Sequence, residues 1–230
     1  MKALLYKEFR LAMHPICYVF VALFPLMVLI PKYPLAVGFI YILSAYPILF
    51  LGANKGQQSN DLLYSTLLPV RKKDIVLARI ITVAVMQFAY MVLICALYPL
   101  SVYINANVSV DPGMVNVNVP GLGLDGFVSI LAIAIVGFAV ADLIFFPIYY
   151  KNGKSIVMST LFTIIGFMIY LGIFTIAIPY IPGLEGYEIF LCKSGWGVQL
   201  GLLGGALVLY GILHFLVYKI SSKKLENVDF

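Results

Sequence analysis

Residues 126–149 read GFVSILAIAIVGFAVADLIFFPIY, 24 residues carrying a single charged side chain, Asp142. A helix needs about 20 mostly apolar residues to cross the hydrocarbon core of a bilayer, and this stretch meets that length. Five other stretches qualify or nearly qualify: 16–30, which follows a semi-polar lead-in from Leu11, 35–52, 75–100, 155–179 and 197–220. Helix-stopping residues stand between them, namely Pro31 and Pro34, Pro69, Pro112 with Gly113, Asn152-Gly153 and Pro182-Gly183. Composition agrees. The chain is 63% hydrophobic and 11% charged, where a soluble domain carries about 25% charged residues. The expected fold class is an all-α polytopic membrane protein, a single transmembrane domain over residues 1–230 with six spans.

Charge gives the expected orientation. With the N-terminus inside, 13 of the 15 Lys and Arg residues fall on the cytoplasmic side, leaving Lys32 and Lys193 outside. Basic residues near span ends are retained in the cytoplasm, so both termini, the 53–74 loop and the 150–154 loop are expected there, in a cell (plasma) membrane. The net charge of +5 is then a matter of topology and anionic lipid, not of nucleic acid. MKALLYKEFR is charged and precedes no small-residue cleavage site, so no cleaved signal is expected. Cys17, Cys95 and Cys192 make no spaced disulfide framework.

Two segments outside the spans are informative. In residues 1–15, helical spacing puts Leu5, Phe9 and Ala12 on one face and Lys7, Arg10 and His14 on another. That pattern suits a helix lying in the headgroup layer, bent from the first span by Pro15; a slightly polar extension of the span is the other reading. In the 53–74 loop, Ser59 or Asn60 can cap a short helix over Asp61–Leu68 that Pro69 ends. Such a helix is either a docking surface for a partner protein or an interfacial anchor.

The run Leu67-Leu68-Pro69-Val70-Arg71-Lys72-Lys73-Asp74-Ile75-Val76 resembles the LPV-[SR]-[KR]-[KR]-[DE]-I-V segment between the second and third spans of bacterial ABC-type-two exporter permeases. The opening LLYKEFR resembles that family's interfacial elbow helix, and the six-span layout is similar too. The segment 54–60 is less charged than its counterparts in the family. The resemblance implies a half-transporter that pairs with a second permease copy or a paralogue in the bilayer. Each copy would dock a separate cytoplasmic ABC ATPase through a coupling helix. Asp61, Leu62, Leu63, Tyr64, Leu67, Leu68, Pro69 and Arg71 would form that coupling surface. The chain itself would be no enzyme and hold no cofactor, ATP and Mg2+ belonging to the partner. The implied activity is export of a hydrophobic or amphipathic substrate, a peptide among the candidates.

Other motifs weigh little. Gly121-Leu-Gly123-Leu-Asp-Gly126 fits G-x-G-x-x-G but lacks a strand–helix–strand context, and Gly153-Lys154-Ser155 lacks the first glycine of a phosphate loop. No catalytic or metal-binding set is evident. Three polar residues lie within the spans: Asp142, Arg79 and Gln87. An acid at that depth needs a partner or a water-filled cavity. Asp142 and Arg79, at similar estimated depths, are expected to pair; a substrate vestibule and a proton relay are the other readings of Asp142. Gln87 either bonds across helices or lines a pathway. Gly197, Gly201 and Gly205, four apart, are expected to pack the last span closely against another span of the chain, a subunit interface being the other reading. Two further classes stay open. A secondary transporter would need several embedded charges or broken helices, and a non-transporting immunity or scaffold protein would need no docked ATPase.

Overall fold

The computed structural model describes residues 2–12, 15–29, 70–107, 124–152, 156–177 and 196–227, and every element among them is helical. Helix α1 (Lys2–Lys7) runs into a π-helical turn over Glu8–Ala12. Helix α2 (Pro15–Leu23) continues as a 3-10 stretch, Phe24–Leu29. The long helices are α3 (Lys72–Asn107), α4 (Leu124–Asn152), α5 (Ile156–Ala177) and α6 (Trp196–Glu226). Within them, Lys72–Ile104, Leu131–Lys151 and Gly197–Glu226 are long and apolar enough to cross a membrane; Cys17–Leu26 and Val157–Ile173 are shorter apolar helices. The expected span at 35–52, and the coupling segment Asp61–Leu68, lie outside the described residues.

The described residues of the apolar runs at 75–100, 126–149, 155–179 and 197–220 all fall in helices. Three of the four helices outrun their apolar stretch, α3 to Asn107 and α6 to Glu226 for example, because polar residues such as Ser221, Ser222 and Lys223 do not break a helix once it has left the apolar zone. The first run departs from a continuous α-helix at Phe24. Pro25 has no N–H to give and its ring crowds the preceding turn, so the chain tightens there into 3-10 geometry. Pro99 and Pro147 are accommodated inside α3 and α4.

Helix α4 is central, packed along α6 and against α5, while α3 packs on the 24–29 stretch, α6, α1 and α2. The backbones of α3 and α4 hardly approach within 8 Å of each other, so these two helices meet through long side chains. Those side chains form two apolar layers. One joins Tyr90, Ile94 and Tyr98 of α3 to Ile135 and Phe138 of α4 and to Ala206 and Tyr210 of α6. The other joins Val76, Ile80 and Val83 to Phe145, Phe146 and Tyr149 and to Val217 and Leu225. Helix α6 enters both along one stripe, with Ala206, Tyr210, Val217, Ser221 and Leu225 buried at the spacing of a single helix face.

Two sequence expectations are corrected here. Among the described residues, the glycines of the last span make no close helix contact: a Cβ built on Gly197, Gly201, Gly204, Gly205 or Gly211 meets nothing of them within 4 Å. They lie one or two residues off the buried stripe and so face away from α4. Close approach occurs instead between α4 and α5, where a Cβ on Gly137 would stand 2.9 Å from Phe167 Cε2 and one on Gly166 would stand 2.2 Å from Ile144 Cδ1. The neighbours differ in compliance. Phe167 is a rigid ring with Tyr170 stacked on it, whereas Ile144 meets Gly166 with the end of a flexible side chain. Gly137→Ala should therefore destabilise the purified protein by about 1–3 kcal/mol, the usual range for overpacking, and Gly166→Ala by less. Thermal unfolding of the two variants in detergent would compare them; an equal fall in Tm would contradict the assignment.

The second correction concerns the N-terminal segment. The face turned inward carries Leu4, Lys7 and Glu8, all buried, while Leu5 and Phe9 are only partly covered. Lys7 is thus not on a solvent face with Arg10, which is exposed. Leu4 packs with Ile75 and Ala78 at the start of α3. The π-helical turn beginning at Glu8 changes the winding, and Glu8 points inward because α3 presents a cation there.

Candidate functional site: two buried polar networks

Arg79 lies in the third turn of α3 and is 3% exposed. Its Nε donates to Glu8 Oε2 at 2.9 Å and its Nη2 to Glu8 Oε1 at 3.2 Å. This is the two-pronged geometry in which guanidinium and carboxylate match best. Nη1 donates to the Tyr149 hydroxyl of α4 at 3.2 Å, and Lys7 Nζ stands 3.7 Å from Glu8 Oε1. One network thereby ties the N-terminal segment to α3 and α4.

The other network sits between the two apolar layers. Gln87 Nε2 donates to Asp142 Oδ2 at 2.9 Å, and the Tyr210 hydroxyl donates to Gln87 Oε1 at 2.7 Å. The two bonds agree on the orientation of the amide, since its oxygen can only accept and its nitrogen only donate. His214 Nε2 lies 3.0 Å from Asp142 Oδ2 without an aligned hydrogen bond, and His214 Nδ1 lies 3.0 Å from the Tyr210 carbonyl. The Tyr210 ring stacks on the imidazole at 3.9 Å, and Phe88 meets Tyr210 edge-on at 5.4 Å. Asp142 itself is 0% exposed.

The expected Asp142–Arg79 pair is therefore corrected. The helices run antiparallel, with Gln87 facing Asp142 and Arg79 facing Tyr149. Arg79 stands two turns below Gln87, about 12 Å along the axis at 1.5 Å per residue, too far for a direct contact with Asp142. Gln87 does bond across helices, and to two of them. Sequence reading did not single out Glu8, Tyr210 or His214. His214 was open to notice as an imidazole deep in an apolar run, where an ionisable residue is a site candidate, and Tyr210 precedes it by one helical turn.

At the start of α3, the Arg71 carbonyl accepts from the Asp74 N–H at 2.9 Å and caps the helix, while its side chain is exposed. Lys73 Nζ pairs with Glu226 of α6 at 3.2 Å, and Lys72 Nζ donates to the Glu226 carbonyl at 3.4 Å. Of the residues expected to couple to an ATPase, Arg71 is described; Asp61, Leu62, Leu63, Tyr64, Leu67, Leu68 and Pro69 lie outside the described residues. Among the described residues no cluster of three or more His, Cys, Asp or Glu could hold a metal ion.

Long apolar helices joined by buried polar networks define an α-helical membrane protein. The comparison with protein families is more specific: the chain belongs to the ABC-2 transporter family, whose model, described as ABC-2 family transporter protein, matches residues 3–222. No curated protein and no solved structure matches it.

Proposed function

We propose that this chain is the transmembrane permease subunit of an ATP-driven exporter, working with a separate cytoplasmic ABC ATPase and with a second permease copy or paralogue. The observation that carries the reading is the family match over nearly the whole chain. The basic run Arg71-Lys72-Lys73, on which the resemblance rests, supports it by standing at the capped start of α3, where a force on the preceding loop would enter the bundle. The one-sided Lys and Arg distribution supports a plasma-membrane protein with both termini and the 53–74 loop in the cytoplasm. The substrate class this reading favours is hydrophobic or amphipathic, a peptide being one candidate. ATP and Mg2+ act on the partner.

Leu63→Glu tests the coupling role. A charge on the apolar contact of the Asp61–Leu68 segment should leave membrane insertion intact and abolish co-purification of a co-expressed partner ABC ATPase. Undiminished co-purification would overturn the docking role and favour a lipid anchor.

A further inference from the structure

We propose that the Asp142 carboxylate is a binding site for the cationic head of an amphipathic ligand, filled in this conformation by the chain's own His214. That the ligand is cargo rests on the permease reading above; the cation site does not.

Asp142 is the only acidic residue within the apolar runs of the six expected spans, and it is fully buried. A carboxylate at such a place needs a partner or a water-filled cavity. The two buried networks meet that need in different ways. Glu8 grips Arg79 through two aligned hydrogen bonds, a fixed lock. Asp142 is met by an imidazole at 3.0 Å that makes no aligned hydrogen bond with it, so no directional bond holds the ring in place. The partner of Asp142 is thus replaceable where that of Glu8 is not.

The surroundings suit a replacement of the same sign. The Tyr210 ring lies flat against the imidazole at 3.9 Å with Phe88 beside it, and aromatic faces attract cations. Gln87 donates to Oδ2, the same carboxylate oxygen that faces the imidazole, so Asp142 keeps a hydrogen bond when the imidazole withdraws. The backbones of α3 and α4 stand apart here and the gap is filled by side chains, so a ligand head would take the place of the imidazole and not enter an open cavity. Apolar layers above and below offer a place for a ligand's hydrophobic part.

Matched lipophilic ions test the site on the purified chain in lipid nanodiscs: tetraphenylphosphonium, and tetraphenylborate of nearly the same size and opposite charge. The cation should bind saturably and the anion should not. Asp142→Asn should weaken the cation by tenfold or more. His214→Phe, which removes the internal competitor, should strengthen it by roughly tenfold, the change that about 1.4 kcal/mol of relieved competition gives. His214→Lys, a tethered permanent cation, should abolish binding. Opposite effects of Phe and Lys at one position are not what a merely structural role gives, and they decide the matter even if Asp142→Asn does not accumulate. Equal cation affinity in wild type and Asp142→Asn, weaker binding in His214→Phe, or no saturable binding in either wild type or His214→Phe would overturn the proposal. Association with an ATPase is measured separately. Cation binding without it would sink the permease reading and leave the site standing, and the reverse result would do the opposite.

Discussion

Glu8→Leu is expected to lower the stability of the folded protein by about 3–5 kcal/mol, the loss found when one partner of a buried ion pair is removed. Glu8 and Arg79 are each 3% exposed, and the guanidinium keeps its charge at any attainable pH. It would be left with the Tyr149 hydroxyl and with Lys7 nearby, a second positive charge that now leans on Glu8. Arg79→Leu should be damaging for the mirror reason, softened because Lys7 remains to face Glu8. The double variant Glu8→Leu/Arg79→Leu should recover most of the loss, since two apolar groups of similar volume replace a desolvated pair. Detergent-solubilised yield and thermal unfolding of the three variants complete the cycle. Additive losses in the double variant would mean that the contact contributes nothing.

Asp142→Leu should also destabilise, by less than Glu8→Leu. It strands the His214 ring and the Gln87 N–H together. An imidazole, unlike a guanidinium, can shed its proton and become neutral, so the penalty falls toward that of unmet hydrogen bonds, about 1–3 kcal/mol each. His214→Leu in the same chain should restore part of the stability. Unfolding measured across the two double cycles would rank them. A larger loss for Asp142→Leu than for Glu8→Leu would contradict the different natures assigned to the two networks.

The spans at 75–100, 126–149 and 197–220 were legible because each is a run of apolar residues longer than a bilayer core, a property of neighbours in sequence. Pairing was not legible for the opposite reason. Depth estimated from the nearest basic residue put Arg79 and Asp142 together, yet the antiparallel register of α3 and α4 sets Asp142 against Gln87, two turns away. Nothing local to either segment carries that register. Glu8 was missed because ideal helical spacing over residues 1–15 places Lys7 outward, and the π-helical turn at Glu8–Ala12 alters that count. The close-approach glycines were misplaced similarly. Spacing of four marks a stripe on α6, but which stripe meets a neighbour depends on where α4 lies, and Gly137 and Gly166 share no such pattern.

The two ends of α3 are held differently. At its start, Arg79 and Lys73 bind Glu8 and Glu226. Towards its other end, the Ser101 hydroxyl donates to the Val28 carbonyl at 2.6 Å, two residues beyond Pro99, where the helix lacks an internal bond. Such a rod behaves as a lever with its pivot near Pro99. At about 1.5 Å per residue, Lys72 lies about 40 Å from the pivot and Gln87 about 18 Å. A swing of about 6° would then carry Lys72 about 4 Å and Gln87 about 2 Å. Two ångströms are enough to part the 2.9 Å bond from Gln87 to Asp142, because a hydrogen bond is lost beyond about 3.5 Å. A modest displacement at the Arg71 end would in this way be converted, by leverage alone, into release of the polar layer between α3 and α4.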